Sequence, residues 1–529
     1  MMDPKRIIIL IIVVLIILFP ITAFTSTCDL AIFLQGAKTI LEGGKIYVDF
    51  IDIKPIIAYY AMIPIYLISH FDNHSVRIIE FCVHALTTIW LGLYLYKKVN
   101  YRIALFSAIA YSLLVVTLNI SESFQLELIF NFLIILLYII HSKNYNKKLK
   151  KSILWIIFEG VIIGIYFSLK YTTGLILLGL LLFDLFYKKE DLLYFIKYYG
   201  TLSIGFLFAV ILCFLPLINT EILNGYKEVM GYLNFYISVL RFDIPHTNIF
   251  LKSSSTYFVD KFSITFLIAV SITILMWFKK MNQSHSENSQ RILAFSIFLV
   301  ITLVLSVMIE RKGFAYHYSR SYIPISVLVG FGLNELVNFF QKILKVKRLK
   351  IILPVSLIII TMIIFSPFSR FISVLRIPII YYFDNEHYYN LFNEPENNPK
   401  LNYLDRKKAC DFLNAHSNHN ENLLTMNSGT YDIIQFQNLK VIDKFSHSAF
   451  YYGLYNNNKW RKEYLEQLTK ADWIIIQKND INYIANGHLR STYESVQEDS
   501  VALNILHSRF NFAYENESFL LLHKKEIKQ

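Results

Sequence analysis

The sequence is poor in glycine, proline, cysteine and charge. Its 529 residues include 18 Gly and 12 Pro, and only 17% are charged, against about 25% in ordinary soluble domains. With 55% hydrophobic content, this argues against a disordered chain, a nucleic-acid reader or a conventional soluble enzyme. The four cysteines (Cys28, Cys82, Cys213, Cys410) stand in no CxxC or Cys/His spacing, which argues against a zinc site or a disulfide scaffold. A Cys28–Cys410 bridge is open if both lie outside the membrane, but free thiols are the expectation. There is no internal repeat or low-complexity tract. What is abundant is apolar and aromatic: 43 Phe, 36 Tyr and a mean hydropathy of +0.44, with a formal charge of +12.

A membrane-spanning helix needs roughly 20 apolar residues, because the hydrocarbon layer is about 30 Å thick and a helix rises about 1.5 Å per residue. Such runs recur at 7–24, 76–96, 103–120, 124–141, 153–169, 171–187, 198–216, 262–278, 292–309, 321–340 and 351–368. The fold class is therefore an α-helical polytopic membrane protein of about 11 spans. The first run has no small-residue cleavage site and is kept as a span. Lys and Arg gather in the N-terminus and in the loops 97–102, 142–151, 188–197, 279–291 and 341–350. The positive-inside rule puts these in the cytoplasm, so the N-terminus lies inside and the tail after Phe368 outside. The expected address is the cell (inner) membrane.

Residues 55–69 are apolar but short and carry Pro64, and counting them as a span breaks the charge parity. They are expected to form a re-entrant or interfacial helix within a large first outer loop. The tail, 369–529, mixes polar stretches with short apolar runs at Asn422–Thr425, Trp473–Gln477 and Phe519–His523 and helical patterns at Arg406–Asn414 and Lys459–Lys470. It reads as a small extracytoplasmic α/β domain. No Gly-rich phosphate loop, nucleophile elbow or metal motif occurs in it. Two domains are expected, 1–368 in the membrane and 369–529 outside.

Ionisable groups in or beside spans are costly and are functional candidates for that reason. On the outer face they are Asp29, Asp49, Asp52, Lys54, Glu127, Lys170, His317 and Arg320. Glu122, Arg311 and Lys312 lie near them in sequence. Nucleotide-linked substrates are cytoplasmic, so chemistry on this face needs a lipid-delivered donor. Lys54, Lys170 and the Arg311–Arg320 cluster suit a lipid phosphate. Asp29 suits proton abstraction or a divalent cation. Duller roles compete: Asp29 as a helix cap, Lys54 snorkelling to the headgroups, Asp49 and Asp52 as turn residues. Glu159 and Glu335, nearer the cytoplasmic half, are expected to pair within the bundle.

The stretch Cys28–Tyr60, with Asp29, Gly43-Gly44, Tyr47-Val48-Asp49 and Asp52-Ile53-Lys54-Pro55, resembles the first outer loop of the C-type glycosyltransferases that use lipid-phosphate sugars. That group includes protein O-mannosyltransferases and the lipid A aminoarabinose transferase. FQLELIF with Glu127, GIYFSLKYTTGLIL with Lys170 and KGFAYHYSRSYIPI with His317 are similar to further stretches of the family. Two departures stand out: Leu30 replaces a second acid after Asp29, and Ile56 replaces the second proline after Lys54. The first puts metal binding in doubt and leaves a one-carboxylate base intact.

The resemblance implies an inverting transfer from a polyprenyl-phosphate-linked sugar to an extracytoplasmic glycan, lipid or protein. Asp29 would be the base or a metal ligand, with Asp49, Asp52, Lys54, Glu127, Lys170, His317 and Arg320 holding substrate. The partners expected are this donor, the acceptor and the lipid bilayer, with no nucleic acid. A lipid-linked-glycan flippase with no chemical step is the rival from another class, and a non-catalytic receptor is a weaker one.

Overall fold

The computed structural model describes residues 2–525 except 26–27, 119–123, 146–152, 188–191, 241–268, 275–286, 311–314, 344–367, 392–401, 428–438, 456 and 482–486. By its contacts the chain forms two compact units. The first takes Met1–Phe24, Arg77–Leu215 and Pro245–Pro378, and the second takes Thr25–Val76, Pro216–Ile244 and Ile379–Gln529.

The first unit is a helix bundle. Among the described residues, Pro4–Ala23, Asn73–Lys98, Leu192–Ile218, Glu287–Glu310 and Tyr316–Phe339 are long and apolar enough to cross a membrane. Within the next four runs, Tyr101–Val116, Leu126–Ser142, Ile153–Leu169 and Tyr171–Tyr187 are shorter apolar helices. The expected span 262–278 is described only over 269–274, and 351–368 lies outside the described residues except Phe368. In a bilayer, helices gain little from burying oil in oil and associate through close packing. Ile153–Leu169 and Leu192–Phe214 show it. A Cβ on Gly160 would stand 2.0 Å from the Leu202 carbonyl, one on Gly164 2.6 Å from that of Phe206, and one on Gly205 2.0 Å from that of Ile157. The backbones touch where the sequence is small. Gly205→Leu is therefore expected to separate this helix pair and to lower the melting temperature in detergent, whereas Gly200→Leu, where a Cβ meets nothing, leaves it within about a degree of wild type.

The second unit is an α/β body. Its sheet comprises β1 (Asn422–Met426), β2 (Lys440–Val441), β3 (Trp473–Gln477), β4 (Phe510–Glu515) and β5 (Phe519–Lys524) in the order β2-β1-β3-β5-β4. The β2-β1-β3 half is parallel and β5 runs antiparallel to both β3 and β4. β3 is central and buried along its whole length, which is why it reads as a continuous apolar run. The three strands expected from the tail form as β1, β3 and β5, and its two helices as Tyr403–His416 and Asn458–Lys470. β2 and β4 are additions. Cys410 is buried.

The same unit holds the stretch that follows the first apolar helix, Thr25–Val76. Cys28–Leu41 is a helix closed by Gly43 at φ +84°, the left-handed position that glycine fills without a steric cost. The Gly44 amide then returns to the Thr39 carbonyl at 2.8 Å. Ile56–Ser69 is a helix with Pro64 inside it. Its 14 residues rise about 21 Å, short of the hydrocarbon thickness. Residues 51 and 445 form an isolated parallel bridge, with Ile51 N–H donating to Lys444 O at 2.6 Å and Ser446 N–H to Ile51 O at 3.0 Å.

Candidate functional site

In the second unit, Asp29 lies in the first turn of helix Cys28–Leu41, where the helix dipole favours a carboxylate. Its Oδ1 is 2.8 Å from the Lys54 ammonium, and both side chains keep partial solvent access, 23% and 19%. The ammonium also lies over the Phe33 ring, 5.0 Å from its centroid, a favourable cation–π placement. The Tyr47 hydroxyl donates to the Lys54 carbonyl at 2.7 Å and fixes the backbone there.

Asp52 sits behind this pair, 1% exposed and 3.5 Å from the Lys54 ammonium. It accepts from the Tyr59 hydroxyl at 2.7 Å through one oxygen and from the Ser446 hydroxyl at 2.8 Å through the other. Burial alone would raise its pKa, but Lys54 and the two hydroxyl donors outweigh it and hold the carboxyl below its ordinary range. Asp52 therefore stays charged and steadies Lys54. Tyr59 reaches it because Gly36 leaves room: a Cβ there would come within 2.1 Å of the Tyr59 ring. Tyr59→Phe leaves a buried carboxylate oxygen without its donor and is expected to cost about 1–3 kcal/mol of stability, read as a drop in melting temperature with no loss of helix content.

Asp49 faces elsewhere. Its carboxylate accepts from the Lys45 amide at 2.8 Å and closes the turn before the bridge, while the Lys45 side chain pairs with Glu221. The turn role weighed for Asp49 is the one its contacts display.

His447 follows Ser446. Its ring stacks on Phe450 with centroids 4.3 Å apart, and it feels the charges of Asp52, Lys54 and Asp29. Burial pushes its pKa down to about 4 from 6.5, with Asp52 pulling the other way. The two groups give the acid response a sign. A histidine kept neutral in the fold loses stability as pH falls from the unfolded value near 6.5 towards about 4. Asp52, with its folded pKa depressed, contributes above about 3.8 and is lost only below that as pH falls through its folded value. The melting temperature is expected to fall in two stages on acidification. His447→Phe removes the upper stage and keeps the lower.

The first unit assembles a different group. Glu127 lies in the short helix Leu126–Ile129, Lys170 at the break between helices 153–169 and 175–187, Glu310 at the end of Glu287–Glu310, and His317 and Arg320 in the 3-10 segment Ala315–Ser321. The Lys170 ammonium is 2.7 Å from Glu127 and 3.3 Å from Glu310. Arg320 is fully buried, 2.7 Å from Glu310 and 3.3 Å from Glu127. His317 Nδ1 is 2.9 Å from Glu310 and 3.2 Å from Glu127. Two carboxylates face an ammonium and a guanidinium, so the formal charges balance before the imidazole is counted.

Glu127, Glu310 and His317 present ligand atoms within 4.8 Å of one another, a donor set fit for a divalent cation. The same carboxylate oxygens serve Lys170 and Arg320, so a metal would have to displace them. Glu310 escaped the sequence reading because it lies one residue past an apolar run ending at 309, where it looked like a span terminus. Ser446 escaped because nothing local ties it to residue 52. Glu122, Arg311 and Lys312 lie outside the described residues. Glu159 pairs as expected, with His141 at 2.8 Å and the Tyr198 hydroxyl at 2.7 Å.

No family model matches the sequence, and no curated protein does. Solved structures do. The chain is similar to ArnT from Cupriavidus metallidurans bound to undecaprenyl phosphate, with a TM-score of 0.58 at 9% identity over 98% of each chain. It is similar to the same organism's ArnT in the apo state, with 0.54 at 8% identity over 97% of each. It is also similar to the Archaeoglobus fulgidus oligosaccharyltransferase in the apo form, with 0.51 at 10% identity over 99% of this chain and 75% of that one. The chain thus shares its fold with ArnT and with this oligosaccharyltransferase, in keeping with the polytopic helical fold class expected from its apolar runs.

Proposed function

We propose that the protein is an integral-membrane glycosyltransferase that moves a sugar from a polyprenyl-phosphate-linked donor to an extracytoplasmic glycan, lipid or protein, with inversion at the anomeric carbon. The observation that carries this reading is the Asp29–Lys54 pair at 2.8 Å with both side chains partly open to solvent. A partly exposed ion pair is weakly held, so an incoming phosphate can exchange for Asp29 at Lys54. One substitution arms both groups: Lys54 gains the leaving group and Asp29 is released as a base.

In the transfer, Asp29 takes the proton from the acceptor hydroxyl or amine as that atom forms its bond to the anomeric carbon. The carbon–oxygen bond to phosphate breaks on the opposite face, and the lipid phosphate leaves with the electron pair. Lys54 meets the negative charge as it develops. Asp52 positions Lys54 from behind, and Asp49 shapes the turn that delivers both. Support for the donor class comes from the undecaprenyl phosphate bound to ArnT. Within its own unit, the Glu127–Lys170–Glu310–His317–Arg320 network is proposed to receive substrate through Lys170, whose side chain is 24% exposed. The membrane part is assigned to 1–368 and the outer domain to 369–529, with the N-terminus cytoplasmic.

The test is incubation of the purified protein, in nanodiscs, with a labelled polyprenyl-phosphate sugar and a panel of acceptors. Labelled product supports the reading. Movement of intact lipid-linked sugar across vesicles with no product overturns it in favour of a flippase.

A further inference from the structure

The Asp29–Lys54 site has charged groups for a proton and for a phosphate, and the hydroxyl-rich ring of a sugar calls for a neutral partner as well. His447 follows Ser446, whose hydroxyl holds Asp52 at 2.8 Å, and it feels the charges of Asp29, Lys54 and Asp52. Its segment is pinned on both sides. Before it, the Ser446 hydroxyl holds Asp52 and the Ser446 amide is tied to Ile51. After it, the Ser448 amide donates to Asn427 O at 2.6 Å and the Ser448 hydroxyl meets that of Thr492 at 2.8 Å. The ring itself lies on Phe450, inclined by 24°, with Tyr232 at 6.3 Å.

His447 is half-buried, and its Nδ1 is enclosed with no hydrogen-bond partner among the described residues. An enclosed N–H without an acceptor is rarer and costlier than an enclosed lone pair. Nδ1 is then the bare nitrogen and the proton sits on Nε2. A rigid neutral ring with one N–H donor suits a sugar hydroxyl, because it neither competes with Lys54 for phosphate nor neutralises Asp29.

We propose that His447 is a sugar-specificity residue, its Nε2–H donating a hydrogen bond to one hydroxyl oxygen of the sugar whose lipid phosphate Lys54 holds. This rests on the Asp29–Lys54 pair being the transfer site. The depressed pKa, about 4, keeps the ring neutral under assay conditions near pH 7.

The test compares wild type, His447→Phe and His447→Asn on a polyprenyl-phosphate sugar and its monodeoxy analogues. Phe keeps the stack on Phe450 and removes the donor, whereas Asn keeps a donor. The expected result is a fall of about tenfold in kcat/KM for His447→Phe on the parent sugar, the size of one neutral hydrogen bond, with partial recovery in Asn. One monodeoxy donor should be poor for wild type and no poorer than the parent for His447→Phe. If His447→Phe keeps kcat/KM within twofold, or discriminates against every monodeoxy donor as wild type does, the proposal is overturned. Should His447→Phe fail to melt cooperatively, the same comparison on His447→Asn decides: retained discrimination supports the proposal, and a loss equal across all donors contradicts it. A wild type that forms no product from any donor overturns the underlying transfer site instead.

Discussion

Asp29→Asn is expected to slow sugar transfer by about 10²–10⁴-fold, the usual contribution of a positioned general base. The loss should fall on kcat, with the donor KM little changed. Asparagine keeps an oxygen that accepts from the Lys54 ammonium, so the 2.8 Å contact survives as a hydrogen bond and the loop stays folded. What disappears is the capacity to take a proton. Lys54→Ala should show the complementary pattern, with weaker donor binding and a slower departure of the lipid phosphate, as expected of a residue proposed to meet the phosphate in both ground and transition states. Full activity in Asp29→Asn, measured as labelled product per enzyme, would remove the base from the mechanism.

Arg320→Ala has the largest expected effect on stability. Arg320 is fully buried and meets Glu310, Glu127 and the Ser306 hydroxyl, the last at 2.8 Å. Removing one partner of a buried ion pair leaves charge uncompensated and costs about 3–5 kcal/mol. A large fall in the melting temperature of the nanodisc-embedded protein is expected, without any change confined to KM. Arg320→Lys keeps the charge but loses the fork that spans two carboxylates, so it should fall in between. An Arg320→Ala protein that melts like wild type would mean that the network is held together by Lys170 and His317 alone.

The parts legible in the sequence are those where one local pattern fixes one local structure. Apolar length marked the helices, and the short run with Pro64 marked a helix too brief to span. The three buried or half-buried strands announced themselves as the apolar runs Asn422–Thr425, Trp473–Gln477 and Phe519–His523. β2, two residues long, and β4, whose middle is exposed, carry no such run. The loop resemblance put Asp29 and Lys54 in one proposed site, and their side chains stand 2.8 Å apart. The same resemblance did not tell Asp49 from Asp52, since the first closes a turn on Lys45 and the second enters a buried pocket. Ser446 lies 394 residues from Asp52, a contact set by tertiary folding and invisible to periodicity. Glu310 was hidden by the rule that revealed its neighbours, because a charge just past an apolar run looks like the end of a span.

The central claim is that bond cleavage at the donor depends on Asp29. A single-turnover quench measures it directly, following free polyprenyl phosphate and glycosylated acceptor together in wild type and Asp29→Asn. Wild type should release the lipid phosphate in step with a product of inverted anomeric configuration, and Asp29→Asn should do so at least about a hundredfold more slowly. Equal cleavage rates in the two proteins, or a product that retains the donor's configuration, would contradict the mechanism.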